Sequence, residues 1–179
     1  MSVNLENASL VLNTRDAVAS DQKATHTWNN INMATLLEGM YEKYESFNLC
    51  LSFAVSMTTT LNATFGTVND RNVLIYVSGL PFKAQCYNAG TNKISRETVI
   101  GYLQFPTDTS TAVTSPSFQS FYVANFNKSC ENVSITIQLK RLDNTLPTVT
   151  NDLPNIVYVF DIYGVEPKTK LINQRIKNI

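Results

Sequence analysis

Two-residue alternation runs through this chain and leaves little choice of fold. In NVSITIQLK, Val133, Ile135, Ile137 and Leu139 fall on one face and Ser134, Thr136, Gln138 and Lys140 on the other. Successive side chains point to opposite sides of a strand, so this is a half-buried antiparallel strand. Leu49, Leu51, Phe53, Val55 and Met57 alternate in the same way with Asn48, Cys50, Ser52, Ala54 and Ser56. Similar runs lie near 9–14, 24–29, 72–78, 97–105, 120–126 and 155–163, each bounded by Gly, Pro, Asn or Asp. That makes eight strands. An extra hairpin is predicted over 82–94, turning at NAGTN.

One segment has a different period. Met33, Leu36, Leu37, Met40, Tyr41 and Tyr44 recur at helical spacing, with Asn32 placed to cap and Glu38, Glu42, Lys43 and Glu45 facing out. The spacing predicts a single amphipathic helix of about three turns. Eight short strands and one helix predict an all-β fold, an eight-stranded single jelly-roll sandwich. Lettering the strands B to I, the short helix falls in the C–D connection. The polar connections B–C, D–E, F–G and H–I then gather at the opposite end.

Strand I, IVYVFDIYG, is apolar on both sides. Ile156, Tyr158, Phe160 and Ile162 make one face, and Val157, Val159, Asp161 and Tyr163 the other. Leu74 and Tyr76 against Ile75 and Val77, and Tyr122 and Phe126 against Phe121 and Val123, repeat the pattern. Such a strand needs cover on both sides, from the core and from another element or subunit.

The 179 residues suit one domain, predicted over 1–167, followed by a basic tail over 168–179. Fourteen Lys+Arg balance fourteen Asp+Glu, so net charge offers nothing to nucleic acid or an anionic membrane. Lys168, Lys170, Arg175 and Lys177 sit in the tail with no acid among them, beside Leu171, Ile172, Ile176 and Ile179 at helix-compatible spacing. The tail therefore reads either as a loose end or as an arm that grips a neighbour or an acidic surface. MSVNLENASL lacks the pattern of a secretory signal, and no run approaches the ~18 apolar residues of a membrane span. Cys50, Cys86 and Cys130, odd in number and widely spaced, are expected to be free thiols in a reducing compartment. Four N-x-S/T sequons match the roughly 3.8 that chance gives at this composition and carry no information for that motif.

Catalytic patterns are missing from the sequence. No two acids are separated by two positions, which disfavours the paired carboxylates of a glycosidase on adjacent sheet positions. The single histidine, His26, reads as a packed or hydrogen-bonded strand position and excludes a multi-histidine metal site. The cysteines lack C-x-x-C spacing, and the six glycines form no phosphate loop. No cofactor and no enzyme activity are expected. Asp161 reads as a structural or interface residue, since no base, nucleophile or metal ligand accompanies it.

The segments NINMATLLEGMYEKYESFNLCLSF, ENVSITIQLKRLDNTLP and LPNIVYVFDIYGVE resemble the single jelly-roll capsid proteins of large nucleocytoplasmic double-stranded DNA viruses, over most of 9–165. The resemblance is carried by Trp28-Asn29-Asn30-Ile31, the Leu36 to Tyr44 helix, Phe47-Asn48-Leu49 and Phe160-Asp161-Ile162-Tyr163-Gly164. It implies a minor capsid or vertex penton protein of the virion, assembled in host cytoplasm. The implied partners are the major capsid protein, other minor capsid proteins and copies of itself, as a pentamer in a penton. Neither a specific nucleic acid nor a membrane span is implied. The interface candidates are Tyr122, Val157, Val159, Asp161, Tyr163, Lys168, Lys170, Arg175 and Lys177. Asp161 then accepts a hydrogen bond from a neighbouring strand or pairs with a base such as Arg141. The alternative is a jelly-roll carbohydrate-binding module that uses Tyr76, Tyr122, Tyr158 and Tyr163 as a stacking platform.

Overall fold

The computed structural model describes residues 7–19, 24–56, 72–79, 86–88, 93–95, 98–104, 113–114, 121–128, 131–141 and 156–165. In chain order the strands are β1 (Asn7–Asn13), β2 (Val18–Ala19), β3 (Thr25–Asn32), β4 (Ser46–Ser56), β5 (Asn72–Ser78) and β6 (Cys86–Asn88). They continue with β7 (Lys93–Ser95), β8 (Thr98–Gln104), β9 (Val113–Thr114), β10 (Phe121–Asn127), β11 (Asn132–Arg141) and β12 (Ile156–Val165). Helices α1 (Met33–Leu37) and α2 (Gly39–Lys43) lie between β3 and β4, and a 3-10 turn at Thr14–Asp16 follows β1.

The pairings identify the fold. One sheet runs β1-β12-β4-β10, with β9 added against β4; the other runs β2-β3-β11-β5-β8. In the lettering above these are B-I-D-G and C-H-E-F, the two sheets of a jelly roll, and every pairing is antiparallel. The predicted hairpin forms as β6 and β7, with Asn88 opposite Lys93. The inner faces meet in one core, with Leu10, Leu12, Phe47, Leu49, Leu51, Tyr158, Phe160 and Ile162 from the first sheet. Trp28, Val73, Ile75, Val77, Val133, Ile135, Ile137 and Leu139 come from the second. A fully buried side chain of this size contributes roughly 1.5–3 kcal/mol, so this layer supplies the main driving force for the sandwich.

Met33, Leu37 and Met40 plug one end of the core. The Asn32 side chain caps α1 by accepting from the Thr35 amide at 2.8 Å, as its position in the sequence predicts. The predicted single helix, however, is two five-residue helices broken at Glu38, which has φ 38° and ψ −118°. A segment this short has little helical stability of its own, and Gly39 weakens it further, so packing of Leu37 and Met40 decides its path. Tyr41 stacks on Phe47 with the rings 6° from parallel, and its hydroxyl donates to the Lys128 carbonyl. The Met33 amide donates to the Glu131 carbonyl, tying the helices to the start of β11. Next to them Gly164 has no room for a side chain: a Cβ there would lie 2.4 Å from the Tyr44 ring.

Register shifts interrupt four of the described pairings, and two of them, in β3 and β4, redirect side chains. In β3, Asn30 takes φ 56°, the left-handed region that Asn tolerates better than most residues, where Ile31 and Trp28 pair with Val133 and Ile135. In β4, Phe53 pairs with Val159 but Leu51 with Phe160, which leaves Ser52 as an extra residue. Alternation breaks there. Phe53 was expected on the face of Leu49 and Leu51, but it is 46% exposed and Ala54 takes the core position at 1%. The sequence pattern misses this because one inserted residue exchanges the two faces for the rest of a strand.

Candidate interaction face

The outer surface of the β1-β12-β4 sheet is where the bulge has its effect. Register places Val11, Val159 and Phe53 side by side, and Asn13, Val157 and Val55 in the next row. Val11 is 58% exposed, and Val157, Val159 and Val55 are half-buried. Without the inserted Ser52, Phe53 and Val55 would belong to the inner face. The bulge therefore builds a surface patch of five apolar side chains on three adjacent strands.

Toward the helical end the same face turns polar. Ser9, Asp161 and Cys50 form one row, and Asn7, Tyr163 and Asn48 the next. Ser9 Oγ donates to Asp161 Oδ1 at 3.4 Å, and Ser52 Oγ donates to Asp161 Oδ2. Asp161 also takes a hydrogen bond from Tyr163, whose phenol is held above its ordinary value. Partial desolvation is the main cause, followed by the charges of Asp161 and Cys50 and by that hydrogen bond. Asn125 Nδ2 donates to Asn48 Oδ1 at 3.0 Å and to the Phe47 carbonyl at 3.3 Å. Asp161 thus accepts from both neighbouring strands of its own sheet. Arg141 lies on β11 in the other sheet.

Val157, Val159, Asp161 and Tyr163 therefore share one face, and Tyr122 pairs with Cys50 along the Asp161 row. The Tyr122 side chain and the tail bases Lys168, Lys170, Arg175 and Lys177 lie outside the described residues. Sequence reasoning missed Val11, Ser9, Ser52, Phe53 and Val55. Ser9 and Val11 had a signal, since pairing of strands B and I in the expected fold brings them beside Asp161 and Val159; the Ser52 bulge had none.

The three described tyrosines of the sugar platform, Tyr76, Tyr158 and Tyr163, do not converge. Tyr158 is fully buried against Trp28, edge to face at 6.2 Å, and has no hydrogen-bond partner for its hydroxyl among the described residues. Tyr76 is 7% exposed on the other sheet, with the Lys140 ammonium 4.6 Å from its ring centre. Of these three, Tyr163 alone is half-exposed on this face. His26 is packed in the core at a ring distance of 6.2 Å from Trp28, and burial pushes its pKa down. Among the described residues no group of His, Cys, Asp and Glu could hold a metal, and no helix is long and apolar enough to cross a membrane.

No family model matches the chain, and no curated protein matches it. Among solved structures it is similar to the virus-like particle of the extra small virus (XSV) of the giant freshwater prawn Macrobrachium rosenbergii, seen by cryo-electron microscopy. That similarity has 8% identity, covers 93% of this chain and 84% of that one, and has a TM-score of 0.35. The jelly-roll assignment rests on the strand order and register above, and the functional reading rests on the outer sheet face.

Proposed function

We propose that this chain is a non-enzymatic structural subunit of an icosahedral virus capsid, a minor capsid or vertex penton protein of a large nucleocytoplasmic double-stranded DNA virus. It would be assembled in host cytoplasm and act in the virion. Its outer β1-β12-β4 face packs against a neighbouring capsomer, either another copy or the major capsid protein. The observation that carries the reading is the set of apolar side chains that the Ser52 bulge brings to the surface. Exposed Phe53 and Val11, flanking half-buried Val159, form a contiguous patch of the kind that marks a contact site. The sequence resemblance supports the same reading, and Asp161, tied up by two serines and a tyrosine, has the surroundings of a structural carboxylate.

The test is the native mass of the purified full chain and of Phe53→Lys, with circular dichroism to confirm that the exposed substitution leaves the fold intact. A pentamer that the variant dissolves supports the penton. A wild-type monomer that binds major capsomers, with Phe53→Lys binding at least tenfold more weakly, supports the minor capsid protein. If Phe53→Lys changes neither assembly nor capsomer binding, the face is not the contact and the reading fails.

A further inference from the structure

A second surface lies at the opposite end of the barrel from the apolar patch. An open groove of about 470 Å³ runs between the start of β1 and the two helices, with Ala8, Leu36, Leu37 and Met40 among its lining residues and Glu38 and Lys43 at its sides. Leu37 and Met40 are buried parts of the core, whereas Ala8 and Leu36 are only half-covered. Strained Glu38 stands at this groove, and strain of that kind persists where the surroundings enforce it.

The last described strand, β12, ends close by at Val165. Tyr163 pairs with Asn7 and Ile162 with Ala8, so β12 leaves the sheet one strand away from the groove, a spacing of about 4.8 Å. Its last residue, Val165, lies opposite Ser46 at the helical end. Residues 166–170 reach up to about 17 Å when extended, ample to cross β1. The next nine residues carry Leu171, Ile172, Ile176 and Ile179. As a helix they measure about 13 Å.

Charge favours the same match. The described residues at this end expose the acids Glu38, Glu42, Glu45 and Glu131 against exposed Lys43 and half-buried Lys128. Residues 168–179 carry four bases and no acid. A basic segment carrying apolar residues, tethered beside a partly apolar groove at an acidic end of the sandwich, has a high effective concentration there.

We infer that residues 168–179 dock in cis on this groove, seating Leu171, Ile172 and Ile176 over half-covered Ala8 and Leu36, with the tail bases beside Glu38 and Glu42. The docked tail covers the helix pair and holds the end of β12 against β1. This holds whatever the chain assembles into.

Amide hydrogen exchange on the full-length chain tests it at the Glu38, Tyr41 and Tyr44 amides, which bond to Ala34, Glu38 and Met40 carbonyls. The double variant Leu171→Asp/Ile176→Asp should speed exchange at these amides about tenfold, leave β11 unchanged, and regain protection when a peptide of residues 168–179 is added. Leu36→Asp, which alters the groove and not the tail, should speed exchange at the same amides and abolish the peptide's effect. Unchanged exchange in both variants overturns the proposal. Wild-type protection that declines on dilution overturns docking in cis and assigns the groove to a neighbour's tail.

Discussion

His26 is the only histidine in the chain and sits in the core with no partner for Nδ1 among the described residues. Burial lowers its pKa, so the folded protein resists protonation that the unfolded chain accepts below about 6.5. Stability is therefore full above that value and falls as pH drops through it, by up to about 1.4 kcal/mol per pH unit until the folded value is reached. Urea titrations over this range should show the loss in the wild type. A His26→Leu variant, which keeps the bulk and removes the proton site, should lose less on acidification; an equal loss would assign the acid sensitivity to carboxylates. Asp161, the residue that most resembles a catalytic group in the sequence, is instead a hub between three strands. Its surroundings were legible only in part. Alternation put it on one face of its strand with Val157, Val159 and Tyr163, whereas the donors Ser9 and Ser52 depend on register across strands distant in sequence.

The helix pair shows how an element can match its sequence pattern and still have a different shape. Met33, Leu37 and Met40 form the same buried stripe whether the helix is continuous or broken, so spacing alone does not reveal the break. Glu38 at φ 38° and ψ −118° occupies a conformation that glycine adopts freely and a side chain does not. Glu38→Gly should raise stability by about 1 kcal/mol, read as a higher urea midpoint at unchanged slope. A fall would mean that the Glu38 side chain contributes more than the strain costs. The long strands were legible because alternation is a local signal; strand E was expected at 72–78 and is found at Asn72–Ser78. The two-residue strands β2 and β9 were not, since two positions carry no period. The choice of core face in β12 was also open, because Tyr158 and Val159 are both apolar, and the partners in β1 and β4 settle it.

At the scale of the molecule, the chain closes on itself. Ser9 and Asp161, 152 residues apart, meet on adjacent strands, and among the sheet-forming long strands only β5 and β8 pair with their nearest neighbour in sequence. Contacts of this range are slow to form because loop closure precedes their reward, so refolding should take milliseconds to seconds or longer. β1 has the most distant partner and should join last. Leu12→Ala should then speed unfolding with little effect on folding, a φ-value below about 0.3, whereas a φ-value near 1 would place β1 in the nucleus.

The outer face of β12 carries one further consequence. Its side chains pass from Val157 and Val159 to Asp161 and Tyr163 along a single strand, a dry half followed by a wet one. A neighbour that slid by one row, about 7 Å, would press an apolar side chain onto the Asp161 carboxylate and strip it of water without replacing its bonds. In the proposed capsid role the face would then be an index mark as well as an adhesive: the patch would supply attraction, and the carboxylate beside it would fix how far along the strand the partner comes to rest.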